Sequence, residues 1–262
     1  MAIYSLRLDE TGTDGDSQHT VVAGAVATAP QWGRLEATWG NLLRRTGAKA
    51  FHWKEFNSAG DPVFGAWSNL KRSRFKEAQE KIINRNTIFR ASVGVEHAVH
   101  AEIKDRMKGI TGFASESDYS LCLRYLMFST CEQLVKIDPD CRLEILVEDG
   151  PYARGAEATF KRVSAMTGRW KPAKHAHRLI GFSAAPKGVT HSLEAADYIA
   201  GEENARLKAG TSPERGTQTL SVLLSKPLLE MWYEGMMRER EARRAYRVRV
   251  PTENKCIDPS DA

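Results

Sequence analysis

The sequence lacks several features that would assign it to a large class of proteins. No apolar run approaches the roughly 20 residues that a helix needs to span a bilayer. No basic leader with an apolar segment and a cleavage site precedes the first strand pattern,. There is no Gly-rich phosphate loop of the nucleotide-hydrolysing kind and no Gly-x-Ser-x-Gly nucleophile elbow,. We therefore expect a cytoplasmic protein without a membrane partner, which is neither a nucleotide-driven motor nor a serine hydrolase.

Cysteine is also scarce. The four cysteines among 262 residues are Cys122, Cys131, Cys141 and Cys256, and they form no Cys-x-x-Cys pair. Three of the four lie in or near segments with a buried pattern. This usage is typical of reduced thiols in a core and disfavours a zinc site.

Charge and apolar content are those of a globular protein. Hydrophobic residues make up 42% of the chain, charged residues 27%, and the formal net charge is +5. A modest positive charge is compatible with a polyanionic partner such as DNA or RNA. Basic residues that could follow a nucleic-acid backbone occur in a short aromatic stretch, on one helix and in one loop: Lys54; Lys71, Arg72 and Arg74; Arg169, Lys171 and Lys174. Solvation of a helix face is the ordinary alternative for such residues.

Strand and helix patterns follow one another in a mixed order. Two hairpin strands are followed by helices, a third strand, more helices, a fourth strand, a helix, a fifth strand and a helix. This order predicts an α/β fold with a mixed central sheet of about five strands flanked by helices. We expect one such domain over residues 1–210, and a C-terminal helical extension packed on it over residues 211–262 with a disordered tail.

Two of the predicted strands end in pairs of acidic residues. The strand from Ile3 runs into Asp9 and Glu10, and the strand from Leu143 runs into Glu148 and Asp149. Such pairs alone can simply open a solvated turn. A third acidic residue lies on or beside the apolar stripe of the last core helix, where a carboxylate is unusual: Asp197. If these segments meet at one edge of the sheet, the carboxylates repel one another, and bound Mg²⁺ would relieve the repulsion.

Three short motifs in this order resemble the family designated domain of unknown function 3800. They are Leu8-Asp9-Glu10-Thr11-Gly12, Leu146-Val147-Glu148-Asp149-Gly150 and, late in the chain, Leu193-Glu194-Ala195-Ala196-Asp197-Tyr198-Ile199-Ala200-Gly201. Members of that family begin with a strand that ends in Asp-Glu-Ser-Gly, so Thr11 replaces the usual serine. The resemblance spans roughly residues 1–205. It implies a ribonuclease-H-like fold, related to retroviral integrases, and cleavage of nucleic acid with two metal ions.

The resemblance also implies roles for individual residues. Asp9 would bridge two Mg²⁺ or Mn²⁺ ions, Glu148 or Asp149 would be the ligand at the middle strand end, and Asp197 would be the ligand on the late helix. Glu148 is favoured because Asp149 leads into Gly150-Pro151. Glu10 and Glu194 would support the site. After its first helix the family has a His-containing stretch, which matches Phe51-His52-Trp53-Lys54-Glu55-Phe56 here. His52 or the nearby Glu55 would belong to the site, although these aromatic residues could equally cover the core.

Three functional hypotheses follow. The first is a metal-dependent nuclease whose basic residues guide the phosphate backbone. The second is a module that binds nucleic acid or a protein partner and keeps the fold without cleavage. The third is a metal-dependent phosphotransfer or hydrolysis reaction on a small substrate. The first uses all three acidic motifs, whereas the second does not need Asp9 and Asp197.

Overall fold

The structure is a computed structural model that describes residues 1–13, 17–106, 116–166, 171–186, 188–211 and 219–235, with the side chain of Lys171 not included. Its strands are β1 (Ile3–Thr11), β2 (His19–Thr28), β3 (Phe89–Glu96), β4 (Arg142–Glu148), β5 (Leu179–Ala185) and β6 (Thr219–Leu224). Its helices are α1 (Ala29–Thr46), α2 (Trp53–Phe56), α3 (Asn69–Asn86), α4 (His97–Arg106), α5 (Asp118–Ile137), α6 (Ala153–Ser164) and α7 (His191–Lys208). Residues 226–235 are helical as well.

The strands form one mixed sheet in the order β5-β4-β1-β2-β3-β6. The β1–β2 and β2–β3 pairs are antiparallel, and the β1–β4, β4–β5 and β3–β6 pairs are parallel. The strands β1 and β4 are therefore neighbours that run in the same direction. The predicted α/β class, with a mixed central sheet flanked by helices, is confirmed.

Each face of the sheet is covered by its own apolar layer. Successive side chains of a strand point to opposite faces, so Leu6 and Leu8 of β1 pack with α5, while Ala23 and Ala25 of β2 pack with α1 and α7. Helix α5 is buried on most sides, as its continuous apolar sequence predicts,. The sheet is thus a middle layer, with α5 packed on one face and α1 and α7 packed on the other.

The helices begin and end where their sequences predict. Thr28 and Gln31 form a reciprocal capping box at α1, and Gly47 ends this helix in the left-handed conformation with φ of 80°,. Ser117 and Thr190 cap α5 and α7 by accepting hydrogen bonds from backbone N–H groups of their first turns,. The cap at Thr190 fixes where α7 starts, and therefore which of its residues face the sheet.

The structure differs from the sequence prediction near the C-terminal end of its described part. The described residues form six strands, because Thr219–Leu224 joins the sheet as β6 in parallel with β3. This segment lies within the range expected to be a helical extension, so part of that range belongs to the central sheet. The short apolar run escaped prediction because a strand at a sheet edge needs a partner that is distant in sequence. The expected disorder of the tail lies outside the described residues.

Two expectations about the whole chain can be compared with the described ranges. Cys122, Cys131 and Cys141 are buried free thiols, as predicted, and burial raises the pKa of each. Cys256 lies outside the described residues. In the described part of the chain, no helix is long and apolar enough to cross a membrane.

Candidate metal and nuclease site

The parallel pairing of β1 and β4 places two acidic strand ends side by side. Leu8 pairs with Val147 as the last matched residues of the two strands, and Asp9 and Glu148 follow them directly. Leu8 and Val147 both face the α5 layer. Because side chains alternate along a strand, Asp9 and Glu148 share the opposite face, on which α7 packs.

Helix α7 crosses this face and supplies the third carboxylate. Its first turn is tied to β1 and α1 through Glu36, whose carboxylate accepts hydrogen bonds from the backbone N–H groups of His191 at 2.7 Å and Ser192 at 3.1 Å. Arg7 of β1 contacts the same carboxylate at 3.0 Å. With the start of α7 fixed in this way, Asp197 lies in the second turn, half-buried among fully buried neighbours.

The electrostatics of these groups indicate that they are close together. The pKa of Asp9 is raised well above its ordinary value, first by burial, then by the negative charge of Asp197, and further by Glu10 and Glu148. Burial raises the pKa of Glu10 to about 7, with further contributions from Glu148 and Asp197. The charges of Glu148 on β4 and Asp197 on α7 therefore act on Asp9 and Glu10 at the end of β1,.

Asp197 is held by the aromatic stretch at the start of α2. Its Oδ2 atom accepts a hydrogen bond from the backbone N–H of Trp53 at 2.8 Å and lies 3.3 Å from Nδ1 of His52. A small cleft at this point is lined by residues of the α1–α2 connection, the end of β4 and the start of α7: Ala50, His52, Glu148, Gly188, Thr190, Leu193, Glu194 and Asp197. The structure thus brings His52, Glu148 and Asp197 together around one opening, whereas Glu55 is exposed.

Two acidic residues near the cluster have different surroundings. Asp149 is exposed, follows the end of β4, and uses its backbone N–H to bind the carbonyl oxygen of Ala185 at 2.8 Å. Glu194 is buried, and its Oε2 atom accepts hydrogen bonds from Nε1 of Trp39 at 2.9 Å and from the backbone N–H of Phe51 at 3.1 Å. Glu194 therefore joins α7 to α1 and to the aromatic core, and these hydrogen bonds explain why its carboxylate can be buried.

The predicted basic residues have different environments. Lys54, Arg74 and Lys174 are exposed. Lys71 is exposed too, and its ammonium lies 3.9 Å from the ring centre of Trp67. Arg72, in contrast, donates hydrogen bonds to the carbonyl oxygens of Phe56 and Phe64 and so binds the fold itself. Arg169 and the side chain of Lys171 lie outside the described part of the structure.

The donor chemistry of the cluster fits a hard divalent cation. Mg²⁺ and Mn²⁺ prefer carboxylate oxygens, and a cation would offset the burial and repulsion that raise the pKa of Asp9,. Within the described ranges, no group of three or more His, Cys, Asp or Glu side chains is placed so that it could hold a metal ion together. The residues thus fit a cation by donor type and charge rather than as a closed cage.

Trp53 is a residue of the site that the sequence did not single out. It lies in the stretch Phe51-His52-Trp53-Lys54-Glu55-Phe56, whose dense mixture of aromatic and ionisable residues was the only signal. Its role depends on a backbone N–H group, which every residue except proline has. A side-chain pattern cannot identify such a contact.

The chain was compared with known proteins by family, by sequence and by structure. No family model matches it, and no curated protein matches it. Among solved structures, Bst-RNase HIII in complex with Mn²⁺ is similar at a TM-score of 0.40 and 16% sequence identity, over 80% of this chain and 56% of that chain. A mutant of Bst-RNase HIII is similar at a TM-score of 0.40 and 17% identity over the same shares. This chain spans about half of the length of those structures.

Proposed function

We propose that this protein is a metal-dependent nuclease with a ribonuclease-H-like fold, which hydrolyses phosphodiester bonds with Asp9, Glu148 and Asp197 as metal ligands. The observation that supports this proposal is that the adjacent parallel strands β1 and β4 place Asp9 and Glu148 on one face of the sheet, on which α7 with Asp197 packs. Burial raises the pKa of Asp9, and the charges of Asp197, Glu10 and Glu148 raise it further. The two-metal-ion mechanism and the relation to family 3800 belong to the same proposal.

A cost to stability supports a functional origin for the cluster. Burying carboxylates close to one another destabilises the folded state unless a cation or a proton compensates them. Proteins retain such arrangements mainly at functional sites, where perturbed pKa values cluster. The neighbouring Glu194 shows the contrasting case, because its buried carboxylate accepts hydrogen bonds from Trp39 and Phe51.

Each residue has a distinct part in the proposed reaction. Bound Mg²⁺ or Mn²⁺ would neutralise charge on the scissile phosphate and lower the pKa of an attacking water. Asp9 and Glu148 would hold the ions from the sheet, and Asp197 would do so from α7. His52 lies 3.3 Å from Asp197 and would orient that carboxylate,. Glu10, the residue after Asp9, would support the site by adding negative charge beside the ions.

Nucleic acid is the proposed substrate because exposed cations occur at the start of α2, next to His52, and on α3. Lys54 follows His52 by two residues, and Lys71 and Arg74 lie on α3, which packs against α1. Contacts between such side chains and phosphates give affinity that falls with salt and does not depend on base sequence. The choice between DNA and RNA would then depend on the shape of the strand rather than on base-specific contacts.

The experiment that tests the proposal is cleavage of labelled single- and double-stranded DNA and RNA with Mg²⁺ or Mn²⁺. Wild type is compared with Asp9→Asn and Asp197→Asn, which keep the side-chain shape and remove the charge. Asp140→Asn is the matched control, because Asp140 is exposed at the opposite end of β4. We expect metal-dependent cleavage by wild type and the control, and none by the two site variants.

Two other outcomes would refute the proposal. Cleavage that survives both site substitutions would place the activity elsewhere or in a contaminant. Salt-sensitive nucleic-acid binding without any cleavage would favour a non-catalytic binding module that retains the fold.

A further inference from the structure

The segment that holds Asp197 contacts α7 twice, through its backbone and through a side chain. The N–H group of Trp53 donates to Oδ2 of Asp197 at 2.8 Å. The indole ring of Trp53 lies against Gly201, four residues further along the same helix. Residues four apart lie on one face of a helix, so the carboxylate and the surface under the ring belong to the same side of α7.

The ring lies so close to α7 that residue 201 has to be glycine. A Cβ atom built on Gly201 would lie 2.1 Å from Cδ2 and 2.2 Å from Cγ of Trp53, whereas real Cβ contacts are essentially never shorter than 3.0 Å. The obstacle is the rigid centre of the indole, next to the backbone, rather than the flexible end of a side chain. An alanine at this position would therefore displace Trp53 from the helix.

Other contacts keep the ring in this place. Tyr198, which is fully buried, packs edge-on against the indole with ring centres 6.0 Å apart. The ammonium of Lys76 on α3 lies 5.5 Å from the ring centre and forms an ion pair with Glu202 of α7 at 2.6 Å. The indole thus packs between α7 and a side chain of α3. This packing keeps the backbone N–H of Trp53 within hydrogen-bond distance of Asp197.

We propose that Trp53 and Gly201 form a positioning device that sets the orientation of the Asp197 carboxylate. Trp53 and His52 both contact Oδ2 of Asp197. These contacts fix the rotation of the Asp197 carboxylate in the protein without a bound ligand. Groups that orient a metal ligand change metal affinity and activity without touching the metal. The consequence for metal binding rests on the proposed function, whereas the consequence for the Trp53–Asp197 contact does not.

The test substitutes Gly201→Ala and compares it with Gly33→Ala. Gly33 is exposed on α1, and a Cβ atom there would meet nothing within 4 Å, so the same chemical change is harmless at that position. Affinity for Mn²⁺ is measured from the electron paramagnetic resonance signal of the free ion, and kcat and KM are measured on the substrate that the protein cleaves. We expect Gly201→Ala to weaken Mn²⁺ binding by about 10- to 100-fold. We also expect kcat to fall by a similar factor at an unchanged KM.

Substitutions of the ring itself give a second series that does not depend on alanine at position 201. Trp53→Phe keeps a flat ring next to Gly201, whereas Trp53→Ala removes it. We expect Trp53→Phe to retain more Mn²⁺ affinity than Trp53→Ala. In the Trp53→Ala background, adding Gly201→Ala should have little further effect, because the clash has gone.

A third measurement needs neither metal nor substrate. The free energies of unfolding of Gly201→Ala, Asp197→Asn and the double variant form a double-mutant cycle. Coupled, non-additive changes are expected, because displacement of Trp53 removes the hydrogen bond that Asp197→Asn weakens. Additive changes, together with Mn²⁺ affinity and kcat like those of wild type in Gly201→Ala, would overturn the positioning role.

The two proposals can therefore fail separately. If the wild type neither binds Mn²⁺ nor cleaves, the nuclease proposal fails, and the unfolding cycle still decides whether Trp53 orients Asp197. If the wild type cleaves and Gly201→Ala cleaves equally well, the nuclease proposal stands and the positioning device is refuted.

Discussion

Asp9 and Glu148 occupy equivalent places on two neighbouring parallel strands, one residue beyond the pair formed by Leu8 and Val147. This relation assigns both carboxylates to the face covered by α7, and it separates Glu148 from Asp149. The structure therefore distinguishes two adjacent acidic residues that the sequence left as alternatives.

The first prediction concerns this pair of residues. Glu148→Gln should lower metal-dependent cleavage by more than the roughly 10- to 100-fold that is typical of outer-shell partners, because it removes a proposed ligand. Asp149→Asn should leave cleavage close to that of wild type, since Asp149 is exposed beyond the strand end. Rates for both variants under one set of metal conditions provide the measurement, and the reverse ranking would identify Asp149 as the ligand.

The second prediction concerns the stability of the metal-free protein. A raised pKa means that the charged form of Asp9 is less favourable in the folded state than in the unfolded state,. Asp9→Asn should therefore raise Tm by about 2–4 °C, which corresponds to about 1 kcal/mol in a domain of this size. The measurement is thermal unfolding in the presence of a chelator.

The same experiment with metal tests the other half of this prediction. Added Mg²⁺ or Mn²⁺ should raise the Tm of wild type, because an ion that binds only the folded state stabilises it. The shift should be much smaller for Asp9→Asn. A lower Tm of the variant without metal would mean that the Asp9 charge stabilises the fold and has a structural role.

The third prediction is a dependence of stability on pH through Glu36. Burial raises the pKa of Glu36, but hydrogen bonds from the Thr190 and Ser192 hydroxyls and from the backbone N–H groups of His191 and Ser192 lower it more, so the net pKa lies below 4.5. A group with a lowered folded-state pKa stabilises the fold above its unfolded-state pKa. This contribution is lost as the pH falls through the folded-state value.

Glu36→Gln measures that contribution. At pH 7 the substitution should cost about 1.5–3 kcal/mol in the free energy of unfolding, the range for hydrogen bonds to a charged group. The difference from wild type should shrink as the pH falls below 4.5. Glu157→Gln, at an exposed position on α6, is the control and should show little difference from wild type at pH 7 or below pH 4.5. An effect of Glu36→Gln that is equal at pH 7 and below pH 4.5 would contradict the lowered pKa of Glu36.

The fourth prediction separates two arginines of α3 by their surroundings. Arg72 binds the carbonyl oxygens of Phe56 and Phe64, so Arg72→Ala should destabilise the fold by about 1–3 kcal/mol through unpaired backbone groups. Arg74 is exposed, so Arg74→Ala should leave stability unchanged and weaken nucleic-acid binding. Denaturant unfolding and binding at several salt concentrations are the measurements. If Arg74 contacts one phosphate, the salt slope should fall by about 0.9 for a duplex.

The sequence was sufficient for most of the secondary structure. Alternating or continuous apolar runs located β1 to β5, and the caps at Thr28, Ser117 and Gly47 marked helix ends, because these signals depend on neighbours within a few residues. Residues 219–224 were not assigned, since an edge strand such as β6 is formed by pairing with a partner that is distant in the chain,.

The acidic strand ends and Asp197 were visible in the sequence as well, and so was the expectation that their segments meet. Which carboxylates share a face was decided by the parallel register of β1 and β4 and by the start of α7 at Thr190. A shift of one residue in the strand register would exchange the faces, and a shift of one residue in the start of α7 would rotate Asp197 by about 100° around the helix axis. The surroundings of Glu194 were also decided by the tertiary structure, because its buried carboxylate accepts hydrogen bonds from Trp39 and Phe51, which lie more than 140 positions away.

The sequence by itself therefore determined the α/β class and most of its elements, and it led to the proposed site, a set of carboxylates at strand ends. Only the tertiary structure decided that Glu148 lies on the same face as Asp9 while Asp149 is exposed, that Arg72 binds the fold, and that the backbone N–H of Trp53 donates to Asp197 where its ring lies against Gly201. The physical reason is that local preferences act within a few residues, whereas orientation, burial and repulsion arise from contacts between distant segments.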